Sequence, residues 1–553
     1  MSFVIGMDFG TLSGRAIVVN ADNGEELGTA VLDYPSAVIV RELGDTKLPP
    51  DYALQDPEDY FACLRYCIPE AVKNAGIDPA DVKAIGLDHT SATVLVTTED
   101  GTPLNQLDEF RDNPHAWIKL WKHHGGQDQA DRILALAQER NEPWLGRYGG
   151  VLSSELLLPK ALETLEEAPE VYQAAAHIVN ALDWIPWMLT GNLVYAEGDS
   201  GYKRMYQDGA YPSKEFLTAL NPDFGNVFEE KMAAPIKPLG EPVGNLTEEW
   251  AAELGLTTDC VVAVGNIDAH VTATAVQAVE SGQMTGIMGT SVCWVVSGDE
   301  YKDVPGVFGT VMGGIVPGKW GFEGGQTAVG DIFAWFVDNC VPASYTEEAE
   351  QRGIGVHELL TEKAAQQQVG EHGLLALDWH NGNRSILADA NLTGVMLGQT
   401  LLTKAEDQYR ALMEAAVFGA RRIIENFEEH GVEITEIVSA GGLLKNAFLM
   451  QLYADICRRP LSTATSEQAP ALGAAIYGAV AAGLYPDVFA ASEAMGGKVT
   501  NQYEPNEAVA AQYDPIYAEY VKLHDYFGRG GNDVMYTLRR IQRNVGGASA
   551  EAE

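Results

Sequence analysis

Short apolar runs broken by glycine and small polar residues open the chain. Phe3–Met7, Ala16–Asn20 and Thr29–Tyr34 read as β-strands separated by Gly and Asp-Asn-Gly turns, the pattern of an antiparallel meander. From Pro57 to Ala75 the spacing becomes helical, and Val82–Leu87 returns to the continuous apolar run of a buried strand. Strands, a helix and then a parallel-type strand mark a mixed α/β sheet. The second half repeats the order: Gly286–Val296 and Val307–Val316 are strand-like, Thr403–Glu428 is expected to be a long helix, and Ile434–Ser439 a strand. The expected architecture is therefore duplicated, with strand–turn elements facing one another across a cleft. A Trp- and Leu-rich helical region between about Pro114 and Thr190 interrupts the first unit and is placed to wall a pocket. The closing GGASAEAE reads as a frayed tail.

A chain of 553 residues is too long for one hydrophobic core and is expected to divide into two large domains. With 46% apolar residues it is not a disordered chain. The net charge of −42, from 78 acidic and 36 basic residues with no Lys/Arg-rich run, makes nucleic acid and anionic membrane poor partners. Cys63, Cys67, Cys260, Cys293, Cys340 and Cys457 are scattered without a Cys-x-x-Cys pair, which points to reduced thiols rather than a disulfide frame or zinc site. Cys63 and Cys67, one helical turn apart, suit core packing. No apolar run is long enough to span a bilayer, and the N-terminus has no secretory pattern, so the chain reads as cytoplasmic.

Two distant segments carry the candidate chemistry. MDFGTLSGR (Met7–Arg15) and GIMGTSVCW (Gly286–Trp294) each read as strand, Gly-Thr/Ser turn and returning strand. Neither contains Pro, so successive backbone N–H groups stay free to meet a phosphate. Asp8 ends the first apolar run, where a carboxylate suits a hydrated Mg²⁺. An ordinary hairpin turn would explain either segment alone, but not the pair in corresponding places. In VVAVGNIDAH (Val261–His270) a buried strand delivers Asp268 to the mouth of a helix, where the helix N-terminus is expected to keep it charged. Taken alone it reads as an N-cap. VSAGGLLKN (Val438–Asn446) places Gly441 and Gly442 at a strand-to-helix turn where a flat ring can lie against backbone, and GLDHTSATVL (Gly86–Leu95) occupies the equivalent place in the first half. Gly313–Lys319 spells G-x-x-x-x-G-K, but Trp320 follows where a phosphate loop needs Ser or Thr and Pro317 removes an N–H, so a hairpin turn is expected. His123 and His124 lack ligand spacing and read as surface or hydrogen-bonding residues.

The segments DFGTLSGR, GTS, GNIDAH and AGG resemble the FGGY carbohydrate kinases of the actin-like ATPase superfamily, over nearly the whole chain. The resemblance implies an α/β fold of two duplicated actin-like (ribonuclease H-like) ATPase domains around a central cleft. Residues 1–281 would carry the sugar site, first phosphate loop and catalytic base; residues 282–553 the nucleotide site, second phosphate loop and C-terminal helices. EFRDNPHAWIKLWKHH (Glu109–His124), YGGVLSSELLLPKALETLEEAPEVY (Tyr148–Tyr172), GYKRMY (Gly201–Tyr206) and EGGQTAVGDIFAWFVDN (Glu323–Asn339) are similar to members acting on L-ribulose. The implied reaction is ATP-dependent, Mg²⁺-assisted phosphorylation of L-ribulose to L-ribulose 5-phosphate in L-arabinose catabolism. By position, the resemblance makes Asp268 the general base and places Ser91, Lys203, Asp268 and Glu323 on the ketopentose. It makes Asp8 the metal residue, and Gly10, Thr11 and Arg15 the first phosphate loop with Gly289, Thr290 and Ser291 the second. Gly330, Gly441, Gly442 and Asn446 fall around the nucleotide, and a homodimer is implied. His89 departs from the pattern, standing where an aromatic Phe is usual between the Asp and the Thr or Ser. For Glu323 and Lys203 a surface salt bridge is the competing use. Rival functions are a kinase for D-ribulose, ribitol, D-xylulose or glycerol, an actin-like ATPase without sugar kinase activity, and a catalytically silent sugar sensor.

Overall fold

The computed structural model describes residues 2–550, with side chains for 2–542. Phe3–Phe9 (β1) is buried at every position because it lies at the centre of a seven-stranded sheet. It pairs antiparallel with Ser13–Asn20 (β2), which pairs with Glu26–Asp33 (β3). Helix α1 (Pro57–Ala75) has the bounds that its pattern predicts. The Asp56 side chain accepts the Glu58 N–H, proline fills the first turn, and Gly76 closes the helix at φ +65°. The chain returns as Val82–His89 (β4), parallel to β1, so that Asp8 stands in register with Asp88. Pro242–Asn245 (β5) and Val261–Ala263 (β6) complete the order β5-β6-β4-β1-β2-β3, while the short strand Asn266–Ile267 pairs the end of β4 and leads into helix α2 (Asp268–Ala275).

The second half builds the same sheet again. Its strands are Gln283–Met288 (β7), Val292–Gly298 (β8), Gly309–Met312 (β9), Trp320–Gln326 (β10), Glu436–Ala440 (β11), Leu461–Ala464 (β12) and Lys498–Tyr503 (β13). Their order is β9-β10-β8-β7-β11-β12-β13, so β10-β8-β7-β11-β12 repeats β3-β2-β1-β4-β6. Helix α3 (Ala405–Glu429) takes the place of α1. The strand expected over Val307–Val316 is shorter: β9 ends at Met312, and Gly313 at φ +68° starts a turn closed by its N–H to the Lys319 carbonyl. That turn joins β9 to β10 as an antiparallel hairpin, the outcome expected from Pro317 and Trp320. The region between Pro114 and Thr190 is mostly helical but includes His177–Asn180, a strand paired with Val94–Thr97. The frayed tail expected over 546–553 is helical in its first part, within Val534–Ala550, and 551–553 lie outside the described residues.

The halves lock through helix α4 (Ala469–Ala481), which belongs to the second half yet packs on the first sheet, with Ala471, Leu472, Ala475 and Ile476 in that core. The approach is backbone to backbone. A Cβ on Gly6 would stand 1.8 Å from the Ala471 carbonyl oxygen and one on Gly86 1.7 Å from that of Ala474. On the opposite side a Cβ at Gly473 would stand 2.1 Å from the Val271 oxygen of α2. No rotamer change relieves such a clash, so Gly86→Ala is expected to cost at least about 1–3 kcal/mol and lower the thermal midpoint. An unchanged midpoint in a melting experiment would contradict this packing.

Cys63 and Cys67 are buried on α1 with their thiols toward the carbonyls of Leu32 and Gly14, and the six cysteines are free. Among the described residues no helix is long and apolar enough to cross a membrane.

Candidate active site

The C-terminal ends of the central strands of both sheets open on a cleft of about 460 Å³. It is lined by Asp8, Gly10, Thr11, Arg15, Ser91, Asp268, Gly289, Thr290, Ser291 and Glu323. The two glycine turns face it as matched hairpins. The Gly10 N–H reaches the Ser13 carbonyl at 3.0 Å between β1 and β2, and the Gly289 N–H the Ser291 carbonyl at 2.9 Å between β7 and β8. Trp121, from the inserted helical region, lines the cleft and donates its indole N–H to Thr11 Oγ1 at 3.1 Å, so that region does wall the pocket.

Asp8 is nearly buried, and Arg15 Nε stands 3.4 Å from its carboxylate. Burial raises the Asp8 pKa against the pull of Arg15. Its register partner Asp88 is fully buried, with both oxygens lacking a hydrogen-bond donor, and burial together with the Asp8 charge pushes its pKa well above the carboxylate range. Carboxylates gathered this densely against one guanidinium suit a hard divalent cation with oxygen ligands.

Asp268 is the first residue of α2 and accepts the Ala269 N–H at 2.7 Å. It keeps a face open to the cleft although protein surrounds it. The helix N-terminus does not hold it at an ordinary carboxylate pKa, as the sequence suggested. Burial, reinforced by the Asp8 charge, raises it to about 7 against the Ala269 hydrogen bond. A carboxylate poised there is suited to taking a proton near neutral pH.

Lys203 and Glu323 do form a salt bridge, but inside the protein rather than on its surface. Lys203 Nζ lies 3.2 and 3.3 Å from the two Glu323 oxygens, and His270 Nε2 lies 3.2 Å from one of them. Burial alone would raise the Glu323 pKa; Lys203 and His270 outweigh it and hold the carboxylate at about 2. Lys203 ends the helix Glu197–Lys203, which the buried Arg204–Asp183 pair anchors at 2.7 Å. Glu323 comes from β10 and lines the cleft, whereas the expected sugar residue Lys203 is buried against it and is not part of the lining, so the pair joins the two halves with only its carboxylate at the cleft.

The structure does not bring all the expected residues into the cleft. Gly330 lies behind the second turn, where its N–H meets the Gly289 carbonyl at 3.1 Å and a Cβ would come within 2.5 Å of that oxygen. Gly441, at φ +105°, packs against Met288 at the far side of the same turn. Gly442 is exposed, and Asn446 caps the helix Ala447–Cys457 through the Leu449 N–H while donating to Thr361 Oγ1. None of these four positions lies in the cleft lining, and of them Gly330 and Gly441 touch the second turn. His89 is also absent from the lining: its ring is buried, stacked on Phe9 at 5.5 Å and edge-on to Tyr60, and burial lowers its pKa to about 3. It shapes the interior behind Thr90 and Ser91. His123, buried as well, bonds Glu163 at 3.0 Å, and His124 lies 2.9 Å from Ser154 Oγ.

Trp121, Glu155, His270, Cys293 and Arg384 line the cleft without having been singled out from the sequence. Glu155 lies in the segment Tyr148–Tyr172 that carries part of the resemblance, and His270 closes the Asp268 motif. Arg384 carries no pattern of its own; only the fold brings it beside Glu155.

Comparison with known proteins agrees with this geometry. Models of the N-terminal and C-terminal domains of the FGGY family of carbohydrate kinases match residues 3–275 and 284–482. The chain is 55% identical over 546 residues to a ribulokinase of Mycolicibacterium smegmatis, covering 98% of this chain and 97% of that one. A ribulokinase of Geobacillus thermodenitrificans is 47% identical over 546 residues, covering 97% and 96%. Among solved structures, a gluconate kinase from Lactobacillus acidophilus superposes with a TM-score of 0.80 at 19% identity, over 96% of this chain and 99% of that one. A Plasmodium falciparum glycerol kinase with ADP gives 0.75 at 16%, over 94% and 98%. The fold is thus the two-domain actin-like fold expected from the sequence. By both domain models and by its full-length relatives, this chain is an enzyme of the FGGY family of carbohydrate kinases.

Proposed function

We propose that the chain transfers the γ-phosphoryl group of ATP to the terminal hydroxyl of L-ribulose, giving L-ribulose 5-phosphate and ADP, as a cytoplasmic step of L-arabinose use. One observation carries this reading: a single cleft is lined by Asp268, by both phosphate-type turns and by Glu323, whose carboxylate pairs with the buried Lys203. The ribulokinase relatives support the choice of ketopentose. The division near residue 281 remains part of the same reading, the first half holding sugar and base, the second the nucleotide.

In this mechanism Ser91, Lys203 and Glu323 hold the sugar hydroxyls, one cation and one carboxylate supplying donors and acceptors for a polyol. Asp268 orients the terminal hydroxyl and takes its proton as the new O–P bond forms and the bond to ADP breaks. The Gly10 and Gly289 N–H groups close their own turns, so it is the backbone N–H groups of Thr11, Thr290 and Ser291, with Arg15, that face the charge on the phosphoryl oxygens. Asp8 would hold Mg²⁺, which when bound neutralises charge on the phosphates. Because the transition state is loose, alignment and charge neutralisation supply most of the acceleration. Gly330, Gly441, Gly442 and Asn446 receive the remainder of the nucleotide beyond the second turn.

The substrate panel tests the reading: coupled ADP release with ATP and Mg²⁺ against L-ribulose, D-ribulose, D-xylulose, ribitol and glycerol. The highest kcat/KM is expected with L-ribulose. A preference for another polyol would move the assignment within the family.

A further inference from the structure

Glu155 and Arg384 are 229 residues apart in sequence and meet at the wall of the cleft. Arg384 Nη2 donates to both Glu155 oxygens, at 3.0 and 3.3 Å, and both side chains are largely buried, 13% and 17% exposed. Burial would raise the Glu155 pKa, but Arg384 together with His124 and Lys203 outweighs it and holds the carboxyl below its ordinary value. The pair uses a single guanidinium nitrogen. Among the described residues Nε and Nη1 of Arg384 donate to no protein acceptor, although the residue lines the cleft. An arginine held by one nitrogen leaves planar donors for something else.

Its mounting is rigid. The Ser385 N–H donates to the Gly325 carbonyl and the Gly325 N–H to Ser385 Oγ, each at 3.1 Å, fixing the arginine loop to the strand that carries Glu323. Thr327 Oγ1 donates to the Gly382 carbonyl at 2.9 Å, and the guanidinium lies 5.4 Å from the Phe308 ring centre. Glu155 stands on the opposite half, beside Ser154, which meets His124. A buried ion pair is a poor stabiliser compared with apolar packing of the same volume. Such a pair facing a ligand cleft therefore calls for a role in recognition.

We propose that Arg384 is a specificity-determining residue that donates from Nε and Nη1 to the oxygens of the ketopentose, and that Glu155 is its positioning residue. Glu155 does two things. It aims the guanidinium, and it cancels the positive charge, so that the cleft takes a neutral polyol and discriminates against a sugar acid of the same length. The inference rests on the proposed sugar phosphorylation.

Steady-state kinetics of the full-length protein test it, with L-ribulose as substrate and its acid counterpart L-ribonate as inhibitor. Arg384→Met is expected to raise the sugar KM at least tenfold while the ATP KM stays within twofold. Arg384→Lys keeps the charge but loses the planar donors and is expected to restore at most part of the affinity. Glu155→Gln is expected to raise the sugar KM and to tighten L-ribonate inhibition at least tenfold, because the arginine charge is released. A purely structural pair would lower the melting temperature without moving the sugar KM or the L-ribonate inhibition, and that result would overturn the proposal. If the wild-type enzyme prefers another polyol, the same comparison is made with that polyol and its acid. The preference would correct the substrate reading, while the variants would still decide the role of Arg384.

Discussion

Asp268→Asn is expected to lower kcat by several hundred-fold or more while sugar binding persists. Asn keeps the size of Asp and can still accept the Ala269 N–H through its amide oxygen, so the start of α2 survives. It cannot accept the hydroxyl proton. The same residue sets the pH dependence. Burial raises Asp268 to about 7, so its basic form is lost as pH falls through that value. In the free enzyme kcat/KM for the sugar is expected to decline on the acid side with an apparent pKa near 7. Because Asp8 and Asp88 lie close, that value belongs to the carboxylate group as a whole. A variant with near-normal turnover, or a flat profile from pH 5 to 8 in the wild type, would remove Asp268 from the role of base.

The second large effect is expected at Lys203. Lys203→Met leaves Glu323 buried with only His270 as partner, and breaking a buried pair from one side costs about 3 kcal/mol. The folded-state pKa of Glu323 is depressed, to about 2, so the pair's stabilisation is present above the ordinary glutamate range and lost as pH falls toward that value. In Lys203→Met this contribution at neutral pH is expected to shrink, and the melting temperature to fall. The double variant Lys203→Met/Glu323→Gln removes the stranded charge and is expected to recover much of the stability. It should not recover the sugar KM, since the donor and the acceptor are both gone. Recovery of both would show that the pair serves folding alone.

Much of this fold is legible in the chain because its signals are local. The α1 boundaries follow from Asp56-Pro57 at one end and Gly76 at the other, and the two glycine turns follow from strands that must reverse beside backbone N–H groups. The apparent phosphate loop at Gly313–Lys319 could be dismissed from Pro317 and Trp320, and β9 and β10 do meet there as a hairpin. Other features depend on packing that no local pattern records. The raised pKa of Asp268 has no local signature: its helix N-terminus is visible in sequence, while the burial around it and the Asp8 carboxylate are not. The resemblance places Lys203 and Glu323 together on the sugar, but that they form one buried pair, 120 residues apart in sequence, is visible only in the fold. Arg384 gave no signal, since its meaning comes from Glu155 on the other half. The need for glycine at positions 6 and 86 comes only from α4 lying against them.

The central claim is that this cleft joins ATP to the terminal hydroxyl of L-ribulose. Phosphorus NMR of the reaction mixture with ATP, Mg²⁺ and L-ribulose tests it directly. The account predicts one ribulose 5-phosphate for each ADP, no ADP without sugar, and loss of both products in Asp268→Asn. ADP formed at the same rate with or without the sugar, and no sugar phosphate, would contradict it.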